Sequence, residues 1–326
     1  MLNAMAYVIE AKGLYKEYDK VKAVNGIDLK ISEGEIFGLL GPNGAGKTTT
    51  LSMLATLIKP TKGKATVNGF DITRESHRVR QSIGFVFQDP SSDDLLTGRE
   101  NLYLHAMMYG VDMKNINSKM DDVLKLVDLT DVQNRRMKTY SGGMRRRLEL
   151  ARGLLHEPKV LFLDEPTLGL DPQTREHLWK YIKKLSTEKK VTIIVTTHYM
   201  DEADLLCDRI AIIDHGRIVA LDTPANLKKK VGGDVVRLKV TKPNLKALKR
   251  LKYIKKVKTE KDTLILTVNN AETHIQGILK AVGEVTSVES HSPTLNDVFL
   301  HFTGSEIRDQ EAEGGYFERM MHSSKK

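Results

Sequence analysis

The sequence predicts an α/β fold: a mainly parallel core sheet with an N-terminal antiparallel β subdomain and a helical insert, followed by a small C-terminal α+β module. Three observations predict it. Apolar runs at 36–40 and 160–163, and the mostly apolar 191–195, read as short buried strands of a parallel sheet. Residues 94–139 carry helical periodicity with little strand pattern. Past residue 223 the pattern becomes β-α-β-β-α-β, the order of a ferredoxin-like module.

Residues 7–35 alternate as strands do and close on the turn Ser32-Glu33-Gly34-Glu35. The strand Ile36-Phe37-Gly38-Leu39-Leu40 then runs into Gly41-Pro42-Asn43-Gly44-Ala45-Gly46-Lys47-Thr48-Thr49, where a helix begins. Strand, glycine loop and helix in this order make a P-loop. Its glycines let backbone N–H groups converge on phosphates, and the helix N-terminus adds its positive end. Residues 41–49 therefore line a nucleotide polyphosphate, with Lys47 as the cation for its β- and γ-phosphates and the Thr48 hydroxyl as a ligand for Mg²⁺. Tyr18, ahead of this loop, admits two readings: an aromatic stacked on an adenine ring, or an ordinary strand tyrosine.

The run Ile83 to Phe87 reads as a further buried strand that delivers Gln88 at its end, either as a neutral amide near Mg²⁺ and the attacking water or as a plain strand-ending residue. In the helical insert, Glu100–Tyr109 and Ser118–Val127 are the expected helices. The insert ends at Tyr140-Ser141-Gly142-Gly143-Met144-Arg145-Arg146-Arg147. Ser141 with two glycines opening a helix is either a second anion site or a capped helix with a glycine turn. The three arginines divide between a solvated face and neighbouring carboxylates.

The strand Val160-Leu161-Phe162-Leu163 releases Asp164 and Glu165 at its C-terminal end, where ligands sit in open α/β sheets. Asp164 suits the Mg²⁺ shell, and Glu165 suits a base that polarises water against a γ-phosphate. Leu168 to Pro172 is a turn, Glu176–Leu185 a helix, and the strand Val191–Val195 leads through two threonines to His198 at the same edge. The C-terminal module places strands at 235–240, 253–258, 263–268 and 284–290, with helices at 244–252 and 271–282; the tail from 305 is polar and expected to be disordered.

The net charge of +9 is localised: residues 228–261 hold 14 Lys and Arg against Asp234 and Glu260, which leaves the remainder slightly acidic. That distribution argues against a nucleic-acid-binding body. The basic stretch is a solvated face, or a contact for anionic lipid headgroups through Lys246, Lys249, Arg250 and Lys252, with Leu245, Leu248 and Leu251 as the buried stripe of its helix. The lone Cys207 forms no internal disulfide and reads as a small core residue. The first residues lack the layout of a secretion signal, and no apolar run approaches the ~18 residues of a membrane span, so a cytoplasmic chain is expected.

Taken together, these motifs resemble the nucleotide-binding subunit of an ATP-binding cassette transporter, a P-loop NTPase cassette. Walker A lies at 41–48, the glutamine loop at Gln88, the signature at 140–144, Walker B through Asp164 with Glu165, the aspartate loop at Asp171 and the switch histidine at His198. The resemblance spans 7–223, with the insert at about 94–139, and the residues 224–304 form a basic linker and accessory module. It implies ATP and Mg²⁺ as cofactors, and a head-to-tail dimer, with itself or a paralogous cassette, in which Ser141, Gly142 and Gly143 contact the nucleotide of the other subunit. It also implies a separate membrane permease whose coupling helix docks on the helical insert, with the chain peripheral on the cytoplasmic face. Tyr140 and Met144 replace the usual Leu and Gln. This variant signature, with the closing stretch Ser292 to Gly304, resembles the daunorubicin-resistance type of exporter, which implies export of a drug, lipid or other hydrophobic or polymeric substrate. Two other classes compete: a soluble cassette ATPase on nucleic acid or ribosomes, usually with two cassettes or a coiled-coil insertion that this chain lacks, and a regulatory module without turnover, against which Glu165 and His198 speak.

Overall fold

The computed structural model describes residues 7–19, 21–240, 243–260 and 262–303. They divide into two compact units, one ending at Val219 and one beginning at Ala220. The tail from 305, expected to be disordered, lies outside the described residues.

The first unit opens with β1 (Tyr7–Tyr18) and β2 (Val21–Ser32), an antiparallel pair, and reaches the buried strand β3 (Ile36–Leu40) and helix α1 (Lys47–Leu54). Then come β4 (Lys62–Val67), β5 (Phe70–Asp71), α2 (Ser76–Ser82) and β6 (Ile83–Val86). The helical insert contributes α3 (Gly98–Met108), which starts on a Thr97–Glu100 capping box, and α4 (Ile116–Leu126). After it run α5 (Gly142–Leu154), β7 (Val160–Asp164), α6 (Pro172–Lys189), β8 (Thr192–Thr197), α7 (Met200–Leu206), β9 (Arg209–Asp214) and β10 (Arg217–Asp222).

Two sheets result: an antiparallel one ordered β2-β1-β4-β5, and a core sheet ordered β10-β9-β3-β8-β7-β6. Within the core sheet β6, β7, β8, β3 and β9 are mutually parallel. Parallel pairing puts the ends of β3, β7 and β8 along one edge, with Asp164 opposite Thr196 and Leu40 opposite Thr197. The strands are buried on both faces, which explains why they read as mainly apolar runs without alternation. Two expected boundaries shift. The strand before Gln88 ends at Val86, and the helix expected from Glu176 starts at Pro172, because Asp171 caps it and proline suits its first position.

The second unit contains α8 (Pro224–Val231), β11 (Asp234–Val240), α9 (Leu245–Leu248), β12 (Ile254–Glu260), β13 (Thr263–Val268), α10 (Ala271–Val282), β14 (Val285–His291) and α11 (Leu295–Thr303). Its antiparallel sheet is ordered β12-β13-β11-β14. Val236, Leu238, Leu264 and Leu266 on one face pack against Leu248, Ile278 and Val282. The helix expected over 244–252 is corrected to a single turn. Arg250 and Leu251 make i→i−3 bonds that tighten and end it, so Leu248 is buried while Leu245 stays 38% exposed.

Candidate functional site

The P-loop between β3 and α1 is held by its own backbone geometry. Gly46 has φ 104°, and a Cβ there would run into the Ala23 carbonyl; a Cβ at Gly41 would run into that of Ile213. Neither position tolerates a side chain, so backbone N–H groups border the loop. Lys47 is buried and folded back: its Nζ donates to the carbonyls of Gly41 at 2.8 Å and Pro42 at 3.1 Å, and lies 3.3 Å from Glu165 Oε1. Burial pulls its pKa down and the facing Glu165 pulls the other way, leaving a net decrease.

The Thr48 hydroxyl donates to Asp164 Oδ1 at 3.0 Å, and Thr196 donates to the same oxygen at 2.6 Å. Burial raises the pKa of Asp164. Two hard oxygens 3.0 Å apart, one a carboxylate, fit a small hard cation that takes most of its ligands from phosphate and water. No group of three or more His, Cys, Asp or Glu that could hold a metal ion occurs among the described residues.

Glu165 adopts φ 44°, a left-handed conformation that costs a non-glycine residue about 1 kcal/mol or more. Its N–H donates to Thr196 Oγ1 at 2.9 Å. The carboxylate lies between Lys47 and His198, whose Nδ1 is 3.3 Å from Oε2 without hydrogen-bond alignment. Burial pushes the Glu165 pKa up, but His198 and Lys47 together outweigh it and hold the group below its usual range. The His198 ring packs on Tyr199 at 4.2 Å, and the Arg175 guanidinium covers that tyrosine.

Lys47, Thr48, Asp164, Glu165 and His198 thus form one cluster at the carboxyl edge of the sheet. The described contacts of the expected residues beyond the P-loop lie outside these five side chains. Ser141 caps α5, accepting from the Met144 N–H at 3.3 Å, and Gly142 is open to solvent. A Cβ on Gly143 would meet Thr174 Cγ2 at 2.5 Å, so this glycine admits the start of α6. Asp171 accepts from the N–H and hydroxyl of Thr174. Tyr18 is 43% exposed at the end of β1, with Lys16 Nζ over its ring. Gln88 is half-buried, and its described contact is its carbonyl, which accepts from Arg146.

Arg146 was expected to share a solvated or carboxylate-facing role, and the structure corrects this. It is 6% exposed, and its guanidinium donates to five backbone carbonyls: Pro166 at 2.6 Å, Asp164 and Glu165 at 3.0 Å, Gln88 at 3.2 Å, and Phe87. Burial lowers its pKa to about 10, so it remains charged at neutral pH. No sequence signal marked it: the positions at helical spacing from Arg146 are Glu149, Leu150 and Gly153, of which Leu150 alone is a large apolar residue, so burial of this face shows in the folded helix and not in the pattern. Tyr140 is also accounted for, since its hydroxyl donates to the Val132 carbonyl at 2.8 Å inside the helical insert.

A family model for ABC transporters matches residues 24–168, and one for the C-terminal domain of DrrA1-3-like ATP-binding proteins matches 223–303. The daunorubicin resistance ATP-binding protein DrrA3 of Streptomyces coeruleorubidus is 39% identical over 93% of this chain and 98% of its own. The linearmycin resistance ATP-binding protein LnrL of Bacillus subtilis is 37% identical over 93% of this chain and 100% of its own. Among solved structures, cbiO1 from Clostridium perfringens, part of an ABC transporter complex, superposes with TM-score 0.64 at 29% identity, covering 69% of this chain and 93% of its own. A dimeric ATP-binding cassette in a post-hydrolysis state bound to ADP and Pi superposes with TM-score 0.61 at 29% identity, covering 66% of this chain and 98% of its own.

Proposed function

The chain belongs to the ABC transporter family, as an ATP-binding subunit with a DrrA-like C-terminal domain, and from that membership we propose that it hydrolyses ATP at the Lys47–Asp164–Glu165–His198 cluster to drive export by a separate membrane protein. The single observation that carries the catalytic reading is Glu165 held between Lys47 and His198, each at 3.3 Å.

In this reading the β- and γ-phosphates take Lys47 from Glu165, and the freed carboxylate accepts a proton from the attacking water. Before nucleotide binds, His198 and Lys47 hold its pKa below the usual range, so it meets the substrate ionised. Thr48 and Asp164 would hold Mg²⁺, whose charge would offset that of the phosphates. His198 orients the γ-phosphate. Ser141, Gly142, Gly143 and Asp171, whose described contacts lie outside this cluster, serve the nucleotide of a second cassette across a dimer; a cap serine and an open glycine at a helix N-terminus suit an incoming phosphate. Gln88 reports nucleotide state through the loop that Arg146 holds, and Tyr18 stacks on the adenine.

The membrane partner is supported by the helical insert. Leu104, Met107 and Met108 of α3, with Leu95 before it, are 49–74% exposed, an apolar surface with the adaptability that methionine brings to docking. Docking on this partner places the chain at the cytoplasmic face; no helix among the described residues is long and apolar enough to cross a membrane. The exposed Lys246, Lys249, Arg250 and Lys252 meet anionic lipid headgroups. Drug-resistance relatives point to a hydrophobic cargo.

The test is co-purification of the tagged chain from gently solubilised membranes. A multi-span membrane protein that raises its ATPase activity is expected. Recovery of nucleic acid or ribosomes without one would overturn the reading.

A further inference from the structure

Glu202 of α7 is fully buried, and nothing in the mechanism above uses it. Its Oε1 accepts from the Thr167 hydroxyl at 2.8 Å and the Trp179 indole N–H at 2.9 Å, while its Oε2 accepts from the Thr197 hydroxyl. The donors are not scattered. Thr167 follows Glu165 by two residues, Thr197 immediately precedes His198, and Trp179 lies in α6, the helix that Asp171 caps. Thr197 Oγ1 also accepts from the Tyr199 N–H at 3.0 Å, so the segment carrying His198 is pinned on both sides of the ring.

We propose that Glu202 is a positioning residue that sets the separation of Glu165 and His198 and links that pair to α6. The physical reason is that a buried carboxyl engaged by three donors cannot shift without leaving one of them unpaired, which is costly away from water. The two loops that end β7 and β8 are therefore referenced to one side chain beyond the point where Thr196 joins the strand ends directly. A movement of His198 on nucleotide binding passes through Thr197 and Glu202 to Trp179. The inference rests on Glu165 and His198 being the hydrolytic pair.

Trp179 is the one tryptophan of the sequence, so its emission reads this site directly. In the full chain, Glu202→Ala is expected to lower kcat for ATP by ~10–100-fold with KM nearly unchanged, the penalty of roughly 1 Å of misplacement. It should also abolish the change in tryptophan emission on adding ATP. Glu202→Gln, which still accepts from Trp179 and can donate to Thr197, should restore most of the rate. Thr197→Val removes one donor and keeps the shape, and it tests the idea if Glu202→Ala does not fold. In a His198→Ala background the Glu202 substitution should add little further loss, because both act through one pair. Unchanged kcat in Glu202→Ala or Thr197→Val, or a loss that adds fully to that of His198→Ala, would overturn the proposal. Full turnover in His198→Ala alone would overturn the underlying reading of the pair, and the proposal with it.

Discussion

Arg146 offers a perturbation whose size can be worked from its contacts. Arg146→Lys keeps the charge but replaces a five-donor planar fork by one nitrogen with three protons, so at least two of the carbonyls of Phe87, Gln88, Asp164, Glu165 and Pro166 lose their partner. Each buried carbonyl left unpaired costs about 1–2 kcal/mol, which gives roughly 2–4 kcal/mol. For a cassette of this size each kcal/mol lowers the melting midpoint by about 2–4 °C, so a drop of roughly 5–15 °C is expected. Arg146→Met leaves all five bare and should exceed it. Thermal melting of the full chain measures this, and the cassette transition is identified as the one that ATP raises. Because Arg146 touches the glutamine loop and the backbone of Asp164 and Glu165 but not residues 41–48, ATP affinity should persist while kcat falls ~10-fold or more. A lysine variant that melts and turns over like the parent would refute the reasoning.

Three further outcomes follow from named contacts. Glu165→Gln keeps the size of the side chain and removes the proton acceptor, so ATP binding should survive, hydrolysis should fall by ~10²-fold or more, and size-exclusion should show an ATP-trapped dimer; full turnover would show that another group is the base. Gly98→Ala would drive a Cβ into the Tyr140 hydroxyl, with an expected loss of about 1–3 kcal/mol by chemical denaturation that Tyr140→Phe partly restores; equal stability of the single and double variants would contradict the contact. Thr294 caps α11 by accepting from the Asp297 N–H, and Asp297 reaches back from the first turn, accepting from the N–H and hydroxyl of Thr294 and facing His291; these outweigh burial to hold its pKa below the usual value. A depressed carboxylate stabilises the fold above its unfolded pKa, and that stabilisation is lost as pH falls through the lower folded value. Asp297→Asn should therefore cost ~1–2 kcal/mol near neutrality and little in acid below the ordinary aspartate range; a pH-independent difference would argue against the ionised carboxylate.

The carboxylates and the histidine illustrate how partners share a site. Lys47 and Glu165 neutralise each other at 3.3 Å, so the lysine is held ready without leaving an unpaired buried charge. Binding of phosphate then changes the partner of both groups at once. The left-handed backbone of Glu165 is held by contacts on either side: its N–H is bound by Thr196, and its carbonyl accepts from Arg146.

What the sequence by itself determined was local. A glycine-rich stretch between an apolar strand and a helix must bring backbone N–H groups together, apolar runs of four or five residues must lie inside a sheet, and the polar residues that follow must then emerge at its edge. Those constraints act within a few residues of where they are written, which is why the P-loop, Asp164 with Glu165, and His198 were legible. Tertiary structure alone decided the partners of Arg146 and Glu202, the dependence of Gly143 on Thr174, and the shortening of α9 to one turn. The carbonyls that Arg146 binds lie 18 to 59 residues away in the chain. A backbone carbonyl is the same chemical group at every residue, so nothing in the sequence marks which of them will converge on one buried side chain; only the folded path of the backbone does.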